Sequence, residues 1–157
     1  MATSTLPAPT AFPSPFPVPS KSTCGHINGV LTEVSSMVFS DKILITISQA
    51  GKLAHWVHVP LATATADPLS GPISNSSSEN ELLPMSHLTA TTVLGGTRRD
   101  DEIIGQTLAT TIASALLVKR PQEERLLVIG AGWVNAAETL TGRAQFEEVL
   151  GLVLEVL

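Results

Sequence analysis

The glycines Gly130-Ala131-Gly132, directly after the apolar run Leu126–Ile129, are the first residues whose spacing suggests chemistry. A dinucleotide fingerprint needs a third glycine three residues on, where this chain has Asn135, and then a further helix and strand. Only a short C-terminal stretch remains, so a sheet edge or a turn is the expected role. Gly51-Lys52 lacks the upstream glycine of a phosphate loop. His26, His55, His58 and His87 could ligate a metal, but His55 and His58 lie three apart on an expected strand and point to opposite faces. Cys24 and His26 lack a third orienting group, and the serines concentrate where preorganisation is poorest. The acid pairs Asp100-Asp101, Glu123-Glu124 and Glu147-Glu148 read as helix starts or solvated faces. No catalytic constellation emerges, and neither cofactor nor metal is expected.

Composition narrows the classes further. With 157 residues, 43% hydrophobic and 15% charged, the chain suits one globular domain and is unlike a wholly disordered one. A net charge of -5 with nine basic residues argues against nucleic-acid binding. The single Cys24 excludes an internal disulfide and a multi-cysteine zinc site. Residues 1–20 show no secretory signal, and no apolar stretch is long enough to span a bilayer, so no membrane association is expected. The expected location is the cytoplasm, with or without the nucleus.

Two segments fall outside the expected folded unit. Six of the eleven prolines lie in residues 1–20, an arm expected to be extended and disordered. It serves either as plain tail or as a proline-rich ligand, although only Lys21 is available as the basic flank such ligands carry. Residues 62–86, with Asp67-Pro68, Gly71-Pro72 and Ser74–Asn80, read as a flexible Ser-rich loop. Residues 21–157 are then one domain around that loop, with on the order of 110 residues of folding material.

Lys42–Ser48 alternates as a strand with three isoleucines on one face, and Gln49-Ala50-Gly51-Lys52 suggests a turn returning through Leu53–Val59. Ser22–Ile27 and Leu31–Phe39, joined at Asn28-Gly29, add a hairpin, and Leu88–Leu94 adds a strand that stops at Gly95-Gly96. The period then changes. Ile104, Leu108, Ile112 and Leu116 recur every four residues behind Asp100-Asp101-Glu102, and Pro121 ends that helix. Arg125–Ile129 is a short strand, and Thr141 is placed to cap a last helix striped by Phe146, Val149, Leu150, Val153 and Leu157. The expectation is an α+β fold: an antiparallel sheet of five to six strands packed with two helices. Two helices cover one face of such a sheet. Leu126–Ile129 and Val93-Leu94 are apolar on both faces, so the second face is covered by loops or the arm, or by another subunit.

Phe39-Ser40-Asp41-Lys42, the apolar strand behind it and Ser48-Gln49-Ala50-Gly51-Lys52 resemble the hairpin of the proteasome assembly chaperone 3 family. Thr91–Gly95 before an amphipathic helix, and Leu126–Ile129 before a C-terminal helix, match its later blocks. The resemblance spans Met37–Val59 and Leu88–Leu157; the arm, the Ser-rich loop and the residues after Gly130 depart from the pattern. It implies a cofactor-free assembly chaperone that pairs with a second, related chaperone to help order the α-subunit ring of the 20S proteasome. A homodimer in isolation is compatible with it. A longin- or roadblock-like scaffold subunit in trafficking or signalling shares the size, sheet and acidity. If the isoleucines meet the helices, Leu44 and Thr46, joined by Trp56 and His58, form the candidate partner-binding face. Trp56 is then either an interface anchor or a cross-strand packing residue.

Overall fold

A computed structural model describes residues 18–62, 85–140 and 142–157. The chain order is β1 (Ser20–Ile27), β2 (Val30–Val38), β3 (Lys42–Gln49), β4 (His55–Pro60), β5 (Thr91–Leu94), α1 (Arg99–Lys119), β6 (Leu126–Gly132), a short α2 (Ala136–Thr139) and α3 (Arg143–Val156). Asn28 and Gly29 both take positive φ, 48° and 77°, and close β1 and β2 as a two-residue hairpin. The six strands form one sheet in the order β1-β2-β3-β6-β4-β5. Every pairing is antiparallel except β3 with β6. The α+β class expected from the sequence is therefore the class observed, with a mixed and mostly antiparallel sheet.

The expected hairpin between β3 and β4 is not formed, because β6 lies between them. A turn is present after β3, with Ala50 at φ 52°, Gly51 at φ 69° and the Lys52 N–H donating to the Gln49 carbonyl at 3.1 Å. The chain then continues through Lys52–Ala54 across the end of β6. Gly132 makes that crossing possible: a Cβ there would collide with the Lys52 carbonyl. The Ala54 N–H donates to the Ala131 carbonyl at 3.0 Å and leads β4 onto the far side of β6. Gly130-Ala131-Gly132 accordingly lies inside a central strand, which corrects the edge-or-turn reading. The Gln49 side chain is buried; its Nε2 donates to Thr32 Oγ1 at 3.0 Å and its Oε1 accepts from the Val134 N–H at 3.1 Å. One amide thus ties β2, β3 and the segment after β6 together.

Both long helices cover the same sheet face, α1 against β4 and α3 against β1 and β2. Leu108, Ile112 and Leu116 of α1 and Val149 and Val153 of α3 meet Ile43, Ile45, Ile47, Val57, Val59, Leu127 and Ile129 in one core. Phe146 packs at its margin. Arg120 caps α1, and its guanidinium donates to the Leu157 carbonyl at 2.8 Å, holding the C-termini of both helices together. Gly142 is the N-cap of α3, while the Thr141 expected there lies outside the described residues. Of the segment 62–86 only Ala62, Met85 and Ser86 are described, and the Met85 N–H donates to Ser114 Oγ at 2.8 Å. The proline arm up to Pro17 is also outside the described residues.

Candidate interaction surface

Because side chains alternate along a strand, the residues between the core positions all emerge on the opposite face. No helix lies against it among the described residues. Two rows cross it. In the first, Ser22, Ser35, Thr46, Gly130, Trp56 and Leu94 are successive cross-strand partners from β1 to β5. In the second, the partners are Ser20, Met37, Leu44, Val128, His58 and Thr91. Leu44, Thr46, Trp56 and His58 therefore do share one face, with β6 interposed between the two strands that carry them. The sequence-based reading placed them in adjacent strands.

The interposed strand shapes the surface. A Cβ on Gly130 would lie 2.8 Å from Cη2 and Cζ3 of Trp56, so the indole ring extends across β6 in the space glycine leaves. Trp56, His58, Val128, Val93 and Leu94 line a shallow apolar depression at that end of the sheet. Val93 and Leu94 are 61% and 65% exposed, and the pairing of β4 with β5 shifts register between Trp56 and Val57. Leu44 and Met37, both half-buried, extend the apolar area toward β2. Toward β1 the face becomes polar, with Ser22, Cys24, Glu33, Ser35, Thr46 and Ser48 around a second depression. Ser35 and Thr46 share a 2.6 Å hydroxyl hydrogen bond at the boundary. Thr46 therefore marks the polar margin, and the apolar end centres on Trp56. Val93 and Leu94 stood out in the sequence as apolar excess. Their place in the site depends on the pairing of β5 with β4, which no local pattern specifies.

His55 lies on the other face of β4, as its three-residue offset from His58 requires. It is 4% exposed, with Nε2 3.1 Å from Thr92 Oγ1. The ring fills the space left by two glycines: a Cβ on Gly105 would overlap it, and one on Gly96 would come within 2.8 Å of Nε2. Burial pushes its pKa below the ordinary histidine value, against the opposing pull of Glu102 and Asp101 in the first turns of α1. Cys24, His26 and His87 are exposed. Among the described residues no three His, Cys, Asp or Glu side chains gather as a metal site, and no helix is long and apolar enough to cross a membrane.

No protein-family model matches the chain, and no curated protein matches it. Among solved structures it is similar to a chain from the crystal structure of a novel chaperone complex for yeast 20S proteasome assembly. The TM-score is 0.57 at 18% sequence identity, over 87% of this chain and 96% of that one. At that identity the likeness shows a shared fold.

Proposed function

We propose that this chain is a non-catalytic assembly chaperone, working in the cytoplasm with or without the nucleus, that pairs through its helix-free sheet face with a second, related chaperone. The pair then acts on the α-subunits of the 20S proteasome, as members of the proteasome assembly chaperone 3 family do. The observation that carries the reading is the apolar end of that face, centred on Trp56, in a fold shared with a yeast proteasome-assembly chaperone. Tryptophan is enriched among the residues that dominate binding energy, and a half-buried indole flanked by exposed Val93 and Leu94 has the form of such an anchor. No cofactor is required for this role.

Affinity purification of the tagged chain from cell extract, with mass spectrometry of what is retained, tests the reading. Recovery of a second small chaperone with proteasome α-subunits is expected. Recovery of trafficking GTPases without proteasome subunits would instead identify a scaffold subunit. Trp56→Ala should weaken pairing by about 2 kcal/mol, some 30-fold, with the circular dichroism of the isolated variant unchanged. Pairing unaffected by the substitution removes Trp56 from the interface, and loss of the fold assigns it to internal packing.

A further inference from the structure

We infer that the polar half of the helix-free face is a socket, built around Glu33, for an arginine side chain of a partner that is not a second copy of this chain. This socket deepens the pairing reading above and rests on it. Cys24, Glu33, Ser48 and Gly132 are successive cross-strand partners from β1 to β6, one row beyond Ser22, Ser35 and Thr46. Glu33 is exposed there, beside the polar depression that Ser35, Thr46 and Ser48 also line.

Glu33 has no counter-charge among the described residues, and these include every Lys, Arg and His of the chain. The ion pairs present are Lys42–Asp41, Arg125–Glu123 and Arg143–Glu147. Lys42, the lysine of β3 on this face, sits at the opposite end of the strand from Ser48 and is held by Asp41 at 3.0 Å. Exposed His26 shares the face, two residues from Cys24, and forms no ion pair with Glu33.

The other groups of the depression can accept hydrogen bonds. Ser35 and Thr46 share one hydrogen bond between their hydroxyls, which leaves lone pairs on both oxygens. The Ser48 hydroxyl oxygen is buried with no hydrogen-bond partner among the described residues, a condition native structures seldom leave unfilled. Rotation about its single χ1 can bring it to a ligand in the depression. A carboxylate beside three hydroxyl oxygens is rich in acceptors. A guanidinium is the complement: planar, always charged, with five N–H donors, it can bond Glu33 through two parallel N–H groups and still reach a hydroxyl. An ammonium is a compact point charge and lacks that fork.

Two copies of this chain meeting face to face cannot supply the group. Each would bring another Glu33, a Lys42 already paired, and a net charge of -5. The socket therefore selects a different chain. Glu33 and Trp56 lie three strand spacings apart across the sheet, so the partner's arginine stands about 14 Å from the group that meets Trp56. The apolar end supplies affinity, while the charge pair fixes orientation and rejects self-pairing.

The isolated full-length chain tests the socket with Nα-acetyl-arginine methylamide, titrated at low salt and followed by backbone amide NMR shifts. Shifts at Glu33, Ser35 and Ser48 should be at least about threefold those at exposed Glu148 on α3. They should vanish with the neutral isostere Nα-acetyl-citrulline methylamide and in Glu33→Gln. In the complex with the chaperone recovered by affinity purification, Glu33→Gln should weaken pairing at least about tenfold and lessen its salt dependence. Glu148→Gln should do neither. Shifts no larger at Glu33 than at Glu148, or unaltered by Glu33→Gln, overturn the socket; where Trp56→Ala still weakens pairing, the pairing reading stands without it. An equal response to Nα-acetyl-lysine methylamide overturns the assignment to arginine. Self-association of the unsubstituted chain that Trp56→Ala abolishes also overturns the proposal and gives the face to a second copy. If the probe binds at Glu33 but pairing is indifferent to both Trp56→Ala and Glu33→Gln, the pairing reading fails and takes the partner assignment with it.

Discussion

The two faces of this sheet are built from the same strands, yet they differ in kind. Toward the helices β3 presents Ile43, Ile45 and Ile47, each 0% exposed; away from them it presents Leu44, Thr46 and Ser48, all half-buried. On β4 the inward positions are His55, Val57 and Val59, and the outward ones Trp56 and His58. Branched aliphatic residues fill the inner side because a close-packed interior favours shape over chemistry. The outer side mixes an indole, an imidazole and hydroxyls, residues suited to a surface that is alternately wet and covered. What separates the two faces here is what each has packed against it within the fold, since the backbone supporting them is common.

The largest expected effect follows directly. Ile45→Ala should cost about 3 kcal/mol in urea unfolding, because the side chain is 0% exposed within the core and its loss leaves a cavity there. Leu44→Ala, one residue along and facing outward, should cost about 1 kcal/mol. Equal costs would mean that the outer face is as enclosed as the inner one.

A smaller difference is expected between two glycines, one for each face. Gly105→Ala lies within α1, where alanine ordinarily stabilises a helix by up to about 1 kcal/mol. Here its methyl would overlap the His55 ring on the sealed face, and the substitution should be destabilising by about 2 kcal/mol. Gly130→Ala would press on the Trp56 ring, which is free to lift toward solvent on the open face, so its cost should stay near 1 kcal/mol. Its clearer mark should be a red-shifted Trp56 emission. A stabilising Gly105→Ala would show that the His55 ring has room to move.

Much of this contrast is legible in the sequence, and the reasons where it is not are specific. Period-two alternation in Lys42–Ser48 and the four-residue spacing from Ile104 to Leu116 are local signals, and each corresponds to an element facing the expected way. The Asn28-Gly29 turn is equally local. The position of β6 between β3 and β4 is non-local: it depends on Gly132 allowing the Lys52-Leu53 backbone to pass and on Gly130 admitting the Trp56 ring. Those glycines invited a phosphate-binding reading, whereas the structure uses them for close approach. Gln49 and Gly51, which carry the resemblance to the chaperone family, act in folding, one as a buried amide bridge and the other as a positive-φ turn residue. Their roles are structural, and neither lies on the helix-free face.

The inner face also carries a pH dependence of its own. His55 is held neutral by burial, so its pKa in the folded chain is lower than in the unfolded chain, where it is near 6.5. Below about pH 6.5 the unfolded state therefore binds the extra proton first, and stability falls with pH until the folded-state value is passed. Above that window His55 contributes no slope. Urea midpoints should drop between pH 7.5 and 5.5, and His55→Gln should flatten that drop. A slope unchanged in His55→Gln would assign the pH dependence to other groups.

The smallest effect is expected outside both faces. Met85 and Leu88 are fixed to α1 and the core, the first through Ser114 Oγ and the second by burial, and Leu61 is buried at the end of β4. The connection between them, residues 63–84, is rich in Ser, Asn and Pro and short of apolar residues able to offset the entropy of ordering. Loop-closure entropy changes by only about 0.6 kcal/mol for each doubling of length. Replacing 63–84 by a Gly-Ser linker of about half the length, still ample for a connection on this scale, should shift the thermal midpoint by no more than a few degrees. The same replacement extended through Met85 and Leu88 should lower it much further, because it removes a core side chain and the hydrogen bond that holds the start of this segment against α1. A large loss from the shorter replacement would show that residues 63–84 contribute to the packing of the folded chain.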